Sequence, residues 1–95
     1  AASFHVRHAV ISIGALDADF GPSDSYLAEA EFARMVLSRG ENRIMISDSS
    51  KFGKTALIKV CDFKDINRLI TDGIPDDRLS SALQAAGVAV NVVAH

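Results

Sequence analysis

Apolar positions along this chain follow two alternating patterns. Short, mostly apolar runs rich in β-branched side chains predict strands, and the first run predicts a strand buried on both faces of a sheet. These runs are 8–14 (HAVISIG), 43–47 (RIMIS), 56–60 (ALIKV), 68–71 (RLIT) and 88–93 (VAVNVV). Between them, apolar residues at helical spacing over 24–39 and 75–87 predict two helices.

Local residues mark the ends of these helices. Asp24 is a suitable N-cap for the first helix, and Arg39 followed by Gly40 favours its termination. Gly87 is a stop signal for the second helix. Residues 15–25 contain a Gly-Pro pair, which breaks regular structure, so they are predicted to form a loop.

The order strand–helix–strand predicts the fold class. It indicates an α/β protein with a partial open, mainly parallel sheet, flanking helices and right-handed crossovers. Two helices are too few to cover both faces of such a sheet. Either a partner chain covers the remaining face, or the 95 residues are part of a larger domain.

Composition and charge exclude several classes of function. A length of 95 residues allows one domain at most, and a hydrophobic content of 48% indicates a packed core. The net charge of −2, without a basic cluster, argues against DNA binding by this chain itself. No membrane span is predicted, and the single cysteine, Cys61, fits a reducing cytoplasm. His5 and His8 lack ligand partners at a metal-like spacing, so no metal or cofactor site is predicted.

The stretch 47–55, SDSSKFGKT, carries the main candidate chemistry. It follows an apolar run and ends in Gly53-Lys54-Thr55, as a nucleotide-binding loop does. Such a loop requires a glycine five residues before Gly53, and Asp48 occupies that position. Because a carboxylate there would repel and obstruct phosphates, ATP or GTP binding is not predicted.

The same residues could form a simpler anion-binding site. Ligands of open parallel sheets bind beyond the carboxyl ends of strands, where residues 48–51 are placed. Ser49, Ser50 and nearby amide groups could surround an anion, and Lys51 could pair with a phosphate. In the plainer interpretation, Asp48 and the serines cap a turn while Lys51 and Lys54 point into solvent.

Asp17 and Asp72 are further candidates. Asp17 lies in the predicted loop, where it either takes part in acid–base chemistry or forms a turn. Asp72 follows the run 68–71, so it either faces the ligand crevice or caps the turn around Gly73, and the cap is favoured.

Three segments resemble a known family. They are SIGALDADFG, the helix YLAEAEFARMVL, and ISDSSKFGKTALIKVCDFKDINRLITD. Together they resemble the C-terminal sensor domain of the DeoR family of bacterial transcriptional repressors, over about residues 8–93. The segment VCDFKDINRLITD is especially similar to the branch of glycerol-3-phosphate regulators.

The resemblance implies a fold, a ligand and a site. The family's sensor domain is similar to ribose-5-phosphate isomerase, glucosamine-6-phosphate deaminase and CoA transferases, and it binds a phosphorylated sugar or polyol that releases the repressor from its operator. The residues implied to form the effector site are Gly14, Asp17, Asp48, Ser49, Ser50 and Lys51. Among them, Lys51 would hold the phosphate and the loop 14–17 would meet the sugar. An acidic position on the family's helix matches Glu29 or Glu31, and both are left out of the site.

Other parts of the family are expected to lie outside these residues. The DNA-reading winged helix-turn-helix and the first half of the sensor domain, with its Gly-Thr-Thr phosphate loop, have no counterpart among the 95 residues. The chain is therefore expected to be the C-terminal part of a cytoplasmic, homo-oligomeric repressor that contacts DNA only through the missing domain and performs no catalysis. Two alternatives stay open: a phosphosugar isomerase or deaminase with Asp17 as its base, and a structural segment that supports oligomerisation.

Overall fold

The computed structural model describes residues 6–93, which fold into two sheets and two helices. The strands are β1 (Val6–Ser12), β2 (Ala15–Asp17), β3 (Gly21–Asp24), β4 (Gly40–Ser47), β5 (Ile58–Lys59), β6 (Arg68–Thr71) and β7 (Ala89–Val92), and the helices are α1 (Leu27–Arg39) and α2 (Asp77–Ala85). Short 3-10 turns are present at Ser49–Lys51 and Phe63–Asp65.

The larger sheet is parallel throughout the described residues. Its strand order is β1-β4-β6-β7, and each neighbouring pair is parallel. The predicted α/β class with a mainly parallel sheet is therefore confirmed. The order along the sheet follows the order along the chain, so every crossover advances in the same direction.

The smaller sheet was not predicted. Strands β2 and β3 form an antiparallel hairpin, and β5 pairs antiparallel with β3. The prediction of a loop over 15–25 is therefore wrong. The Gly-Pro pair lies inside β3 rather than in a loop, and the short hairpin is held by pairing with β5, which is distant in the chain. The strand predicted over 56–60 is observed only at Ile58–Lys59 (β5), and it belongs to this smaller sheet rather than to the parallel one.

The helix ends differ from the predictions at one point. The N-cap of α1 is Tyr26, whereas Asp24 belongs to β3 and accepts the N–H of Ser25 at 2.8 Å, so the prediction of Asp24 as N-cap is wrong. The N-cap of α2 is Asp76, whose Oδ1 accepts the N–H of Leu79 at 2.8 Å. Within residues 6–93, neither helix has the length and hydrophobicity of a membrane span.

Both helices pack on one face of the parallel sheet. One core cluster joins the two helices to three of the strands through Ile11, Met45, Leu69, Ala30, Ala33, Leu37, Leu79 and Leu83. The opposite face, here called the outward face, carries the alternate residues Val10, Ile44, Ile46 and Ile70. Val10 is 51% exposed and Ile46 is 43% exposed. The prediction of a first strand buried on both faces is therefore wrong for residues 6–93, while the expectation that two helices leave a face bare agrees with the structure.

Candidate functional site

The two segments of the predicted site lie side by side. One follows β1 and contains Gly14, and the other follows β4, the neighbouring strand of the sheet. The carbonyl of Leu16 accepts the N–H of Gly53 at 2.9 Å, and Leu16 also forms a parallel bridge with Phe52. The structure thus brings Gly14 and strand β2 next to residues 48–53, beyond the carboxyl ends of adjacent parallel strands.

Residues 48–52, here called the Asp48 turn, are held by hydrogen bonds within the turn. Asp48 Oδ1 accepts the N–H of Ser50 at 2.9 Å, and the Asp48 carbonyl accepts the N–H of Lys51 at 3.0 Å. The Ser49 carbonyl accepts the N–H of Phe52 at 3.1 Å. The interpretation of Asp48 as a turn cap is confirmed.

Asp72 anchors this turn from the next strand. Its Oδ1 accepts the N–H of Ser49 at 2.6 Å. A Cβ on the following residue, Gly73, would lie 2.7 Å from the Cβ of Ser49, so only glycine permits this close approach. Asp72 also lines the groove past β4 and β6, while the Gly73 N–H lies 3.5 Å from Thr71 Oγ1, so a cap by Asp72 on the turn around Gly73 stays a prediction.

These contacts decide which groups of the Asp48 turn are available to an anion. The N–H groups of Ser49, Ser50 and Lys51 all donate to acceptors inside the chain, so they do not form an open cradle. The half-buried Lys51 side chain is different: among residues 6–93, no carboxylate lies within salt-bridge distance of its ammonium group. The groups that remain are therefore this ammonium and the hydroxyls of the two serines.

Residues 17–20, here called the Asp17 turn, are built around a second aspartate. Asp17 Oδ2 accepts the N–H of Phe20 at 2.8 Å and that of Asp19 at 2.9 Å. These two hydrogen bonds, with a smaller contribution from the Arg78 charge, lower the pKa of the Asp17 carboxyl. A general base that works near neutral pH needs a raised pKa, so the Asp17 turn is poorly suited to proton abstraction.

Two grooves open near these turns. One, of about 230 Å³, lies past β4 and β6 and includes Asp48 and Asp72 in its lining. The other, of about 460 Å³, lies between β1 and α1, and its polar lining residues are Ser12, Asp24 and Glu29. Lys51 lines neither groove.

The groove beside β1 contains residues that the sequence interpretation missed. A Cβ on Gly14 would lie 3.4 Å from Asp24 Oδ1, so this carboxylate stands against the predicted ligand-facing loop. The sequence pattern predicts Asp24 as the helix cap, whereas the structure places it in β3. Of the two acidic residues matched to the family's helix, Glu29 lines the groove and Glu31 does not. The match to an acidic family position was the available signal for Glu29.

The remaining histidine, cysteine and acidic side chains of the described residues offer no second candidate site. Within the described ranges, no three His, Cys, Asp or Glu side chains are grouped to hold a metal ion. His8 Nδ1 lies 3.1 Å from Asn42 Nδ2, while His5 lies outside the described residues. Burial, followed by the charges of Asp65 and Asp62, raises the pKa of the Cys61 thiol to about 12, which keeps it protonated and a poor nucleophile.

Three named relatives are similar to this chain. It is 35% identical over 92 residues to a putative aga operon transcriptional repressor of Escherichia coli O157:H7, covering 96% of the chain and 34% of that protein. It is 31% identical over 91 residues to the HTH-type transcriptional regulator YulB of Bacillus subtilis, covering 96% of the chain and 35% of that protein. It is 25% identical over 73 residues to the glycerol-3-phosphate regulon repressor of Haemophilus influenzae, covering 77% of the chain and 29% of that protein.

The comparisons agree on one family. All three of these relatives are named regulators of transcription, and none of the three is named an enzyme. The chain spans about a third of the length of these relatives. The DeoR C terminal sensor domain matches residues 1–73, most of the sequence, and the chain therefore belongs to that family.

Proposed function

We propose that this chain is the effector-sensing part of a DeoR-type transcriptional repressor and that its effector is a phosphorylated sugar or polyol. The observation that carries the proposal is Lys51, a half-buried residue beyond the carboxyl end of β4 whose ammonium group has no carboxylate partner within residues 6–93. Family membership supports the sensing role, and relatives named for the aga operon and the glycerol-3-phosphate regulon support the class of effector.

In the proposed complex, the phosphate binds at the Asp48 turn. Its oxygens accept hydrogen bonds from the Lys51 ammonium and from the hydroxyls of Ser49 and Ser50. The carboxylates of Asp48 and Asp72 stand close by, and their charges oppose a phosphate. Further donors from the rest of the full-length protein are therefore part of the proposal.

The sugar end of the effector extends toward Gly14 and strand β2. Gly14 exposes backbone there, and Asp17, at the end of β2, is proposed to contact the sugar. The carboxylates of Asp24 and Glu29, which line the adjacent groove, accept hydrogen bonds from sugar hydroxyls. No proton transfer is assigned to any of these groups.

Regulation follows from a difference in affinity between two states. The effector binds one conformation of the sensor more tightly and thereby lowers the population that holds DNA. In this proposal, DNA is contacted by a separate domain of a cytoplasmic homo-oligomer, because the net charge of −2 on this chain gives no attraction for a phosphate backbone.

The proposal is tested with the full-length repressor bound to its operator DNA. Glycerol-3-phosphate and a panel of sugar phosphates are titrated, with glycerol and the unphosphorylated sugars as matched controls. We expect at least one phosphorylated compound to weaken operator binding by about tenfold or more, while its unphosphorylated counterpart does not. Equal release by both members of every pair would contradict a phosphate effector, and no response to any compound would favour a purely structural role.

A further inference from the structure

A cavity lies at the other end of β4 from the Asp48 turn. Its volume is about 380 Å³, and its walls come from the second half of α1, the first half of β4 and the segment 60–65 that follows β5. Arg43, on the β4 wall, is separated from Ser47 at the carboxyl end of the strand by about 13 Å, at a rise of about 3.3 Å per residue. This cavity, here called the arginine cavity, is therefore separate from the proposed effector site, and its size suits a small ligand.

Two guanidinium groups line the arginine cavity. Arg34 Nε donates to the Val60 carbonyl at 2.9 Å, and its Nη2 donates to the Lys59 carbonyl. Arg43 Nε donates to the Asp65 carbonyl. These bonds hold both side chains in place, and their other N–H groups have no acceptor among residues 6–93. No carboxylate of the same range lies within salt-bridge distance of either guanidinium group, so both charges are available to an anion.

One carboxylate shares the cavity with these two cations. Asp65 Oδ2 accepts the N–H of Asp62 at 2.9 Å, which orients the side chain, and no donor of residues 6–93 reaches Asp65 Oδ1. The cavity therefore combines two sets of N–H donors with one acceptor oxygen. The other lining residues carry no charge at neutral pH, and they are Leu37, Ser38, Val60 and Cys61.

This set of groups is complementary to hydrogen phosphate. Guanidinium groups pair with phosphate oxygens through parallel, charge-assisted hydrogen bonds. Hydrogen phosphate also carries a P–OH group, which can donate to the remaining oxygen of Asp65. Sulfate has a similar size and charge but no proton at neutral pH, so its oxygens would meet that carboxylate without a hydrogen bond. A carboxylate beside two guanidinium groups thus favours phosphate over sulfate.

We propose that Arg34, Arg43 and Asp65 form a second anion-binding site that is selective for inorganic phosphate. The two guanidinium groups donate to phosphate oxygens, and the phosphate hydroxyl donates to Asp65. A phosphodiester of DNA has no P–OH group, and a phosphate monoester has mostly lost its second proton above pH 7, so both bind more weakly. The site is independent of the proposed function, since it uses neither Lys51 nor the carboxyl end of β4.

Equilibrium dialysis of the full-length protein with radiolabelled phosphate or sulfate, at constant ionic strength, tests the selectivity. Lys51→Ala is the background, so that phosphate held at the proposed effector site does not contribute. We expect the Kd for phosphate to be about tenfold or more below the Kd for sulfate. Asp65→Asn keeps an acceptor oxygen for the Asp62 N–H and adds an amide donor that sulfate can use, so it should bring the two Kd values within about threefold.

The role of the guanidinium groups is tested in the same assay. Arg43→Gln should raise the Kd for phosphate by about tenfold or more, because it removes a charged donor from the cavity. Arg68→Gln is the matched control, since it removes the same charge from the start of β6, outside the cavity lining, and should change the Kd by less than about threefold.

Hydrogen exchange of the wild-type protein gives a measurement that needs no substitution. Phosphate at about ten times its Kd should slow exchange in peptides from residues 59–66 by about tenfold relative to sulfate at the same concentration. Protection of these peptides by operator DNA without any effect of phosphate would show that nucleic acid fills the cavity. Full protection before any anion is added would show that another segment of the protein fills it. Either result would contradict the proposal.

The binding assay has three further results that would overturn the phosphate site. These are no saturable phosphate binding to the Lys51→Ala protein, equal Kd values for phosphate and sulfate, and equal losses in Arg43→Gln and Arg68→Gln. All of these measurements are made without sugar phosphates. A failed sugar-phosphate titration of the operator complex would therefore count against the proposed function alone.

Discussion

Two turns lie side by side at the carboxyl edge of the sheet, and each is built around an aspartate that accepts backbone N–H groups. The Asp17 turn uses its carboxylate for its own backbone, and its neighbour Asp19 is paired with Arg78 of α2. The Asp48 turn is also closed internally and is anchored by Asp72, yet it presents a cation without a partner among residues 6–93. Similar turn chemistry thus leaves an ammonium group without a carboxylate partner in the described part of one turn, and it is this group that we propose to bind the phosphate of the effector.

The largest expected effect comes from disturbing the contact that holds the Asp48 turn. In Gly73→Ala, the new methyl group would lie 2.7 Å from the Cβ of Ser49, and we expect a loss of about 1–3 kcal/mol in the free energy of unfolding. Adding Ser49→Gly removes the opposing atoms and should restore most of the loss, while adding Ser49→Ala retains the Cβ and should not. Urea unfolding of the four proteins measures this, and equal recovery in both double variants would contradict the proposed clash.

A smaller effect is expected from the Asp17 turn. Asp17→Ala removes the acceptor of two N–H groups, and we expect a loss of about 1 kcal/mol in the free energy of unfolding. Asp17→Asn keeps an acceptor oxygen and should retain most of the stability. If effector affinity in Asp17→Asn nevertheless falls by about tenfold, the side chain contacts the sugar directly, whereas unchanged affinity removes Asp17 from the site.

The stability contributed by Asp17 should also depend on pH. Because its pKa is lowered in the folded state, the charged carboxylate stabilises the fold above the ordinary Asp pKa of 3.8, and this contribution is lost as the pH falls through the lowered value. The difference in unfolding free energy between wild type and Asp17→Ala should be constant from pH 7 to about 5 and should narrow below about 4. A difference that widens in acid would contradict the direction of the pKa shift.

The smallest effect on stability is expected from the exposed salt bridge between Arg78 of α2 and Asp19 of the Asp17 turn. Arg78 and Asp19 are 70% and 79% exposed at their side chains, so water screens their attraction. Arg78→Ala should therefore leave the melting temperature nearly unchanged. A drop of several degrees would show that the pair, rather than the hydrogen bonds of Asp17, holds this turn.

The sequence predicted the local features of the site better than its long-range ones. Apolar runs identified β1 and β4, and chain order alone placed Gly14 and Lys51 beyond their carboxyl ends. The bonds that join these regions, from Gly53 to Leu16 and from Ser49 to Asp72, connect residues far apart in the chain and leave no periodic signal.

The β2–β3 hairpin was missed for a related reason. Its strands are three and four residues long, too short for an alternating pattern to be recognised. The pairing with β5 and the hydrogen bond from the Ala56 N–H to the buried hydroxyl of Ser23, at 2.9 Å, hold it in place. Without a recognisable hairpin, the sequence pattern places Asp24 at the helix cap, although it belongs to the hairpin and lines the groove beside β1.

Calorimetric titration of the full-length repressor tests the role of Lys51 most directly. The ligand is the phosphorylated compound that releases the protein from its operator, and the variants are Lys51→Ala and Lys54→Ala, which remove the same charge from neighbouring positions of one loop. Because a charge-assisted hydrogen bond contributes about 1.5–3 kcal/mol, Lys51→Ala should raise the Kd by about 10- to 100-fold, while Lys54→Ala, at an exposed residue, should change it by less than about threefold. An unchanged Kd in Lys51→Ala, or equal losses in both variants, would contradict a phosphate held by Lys51.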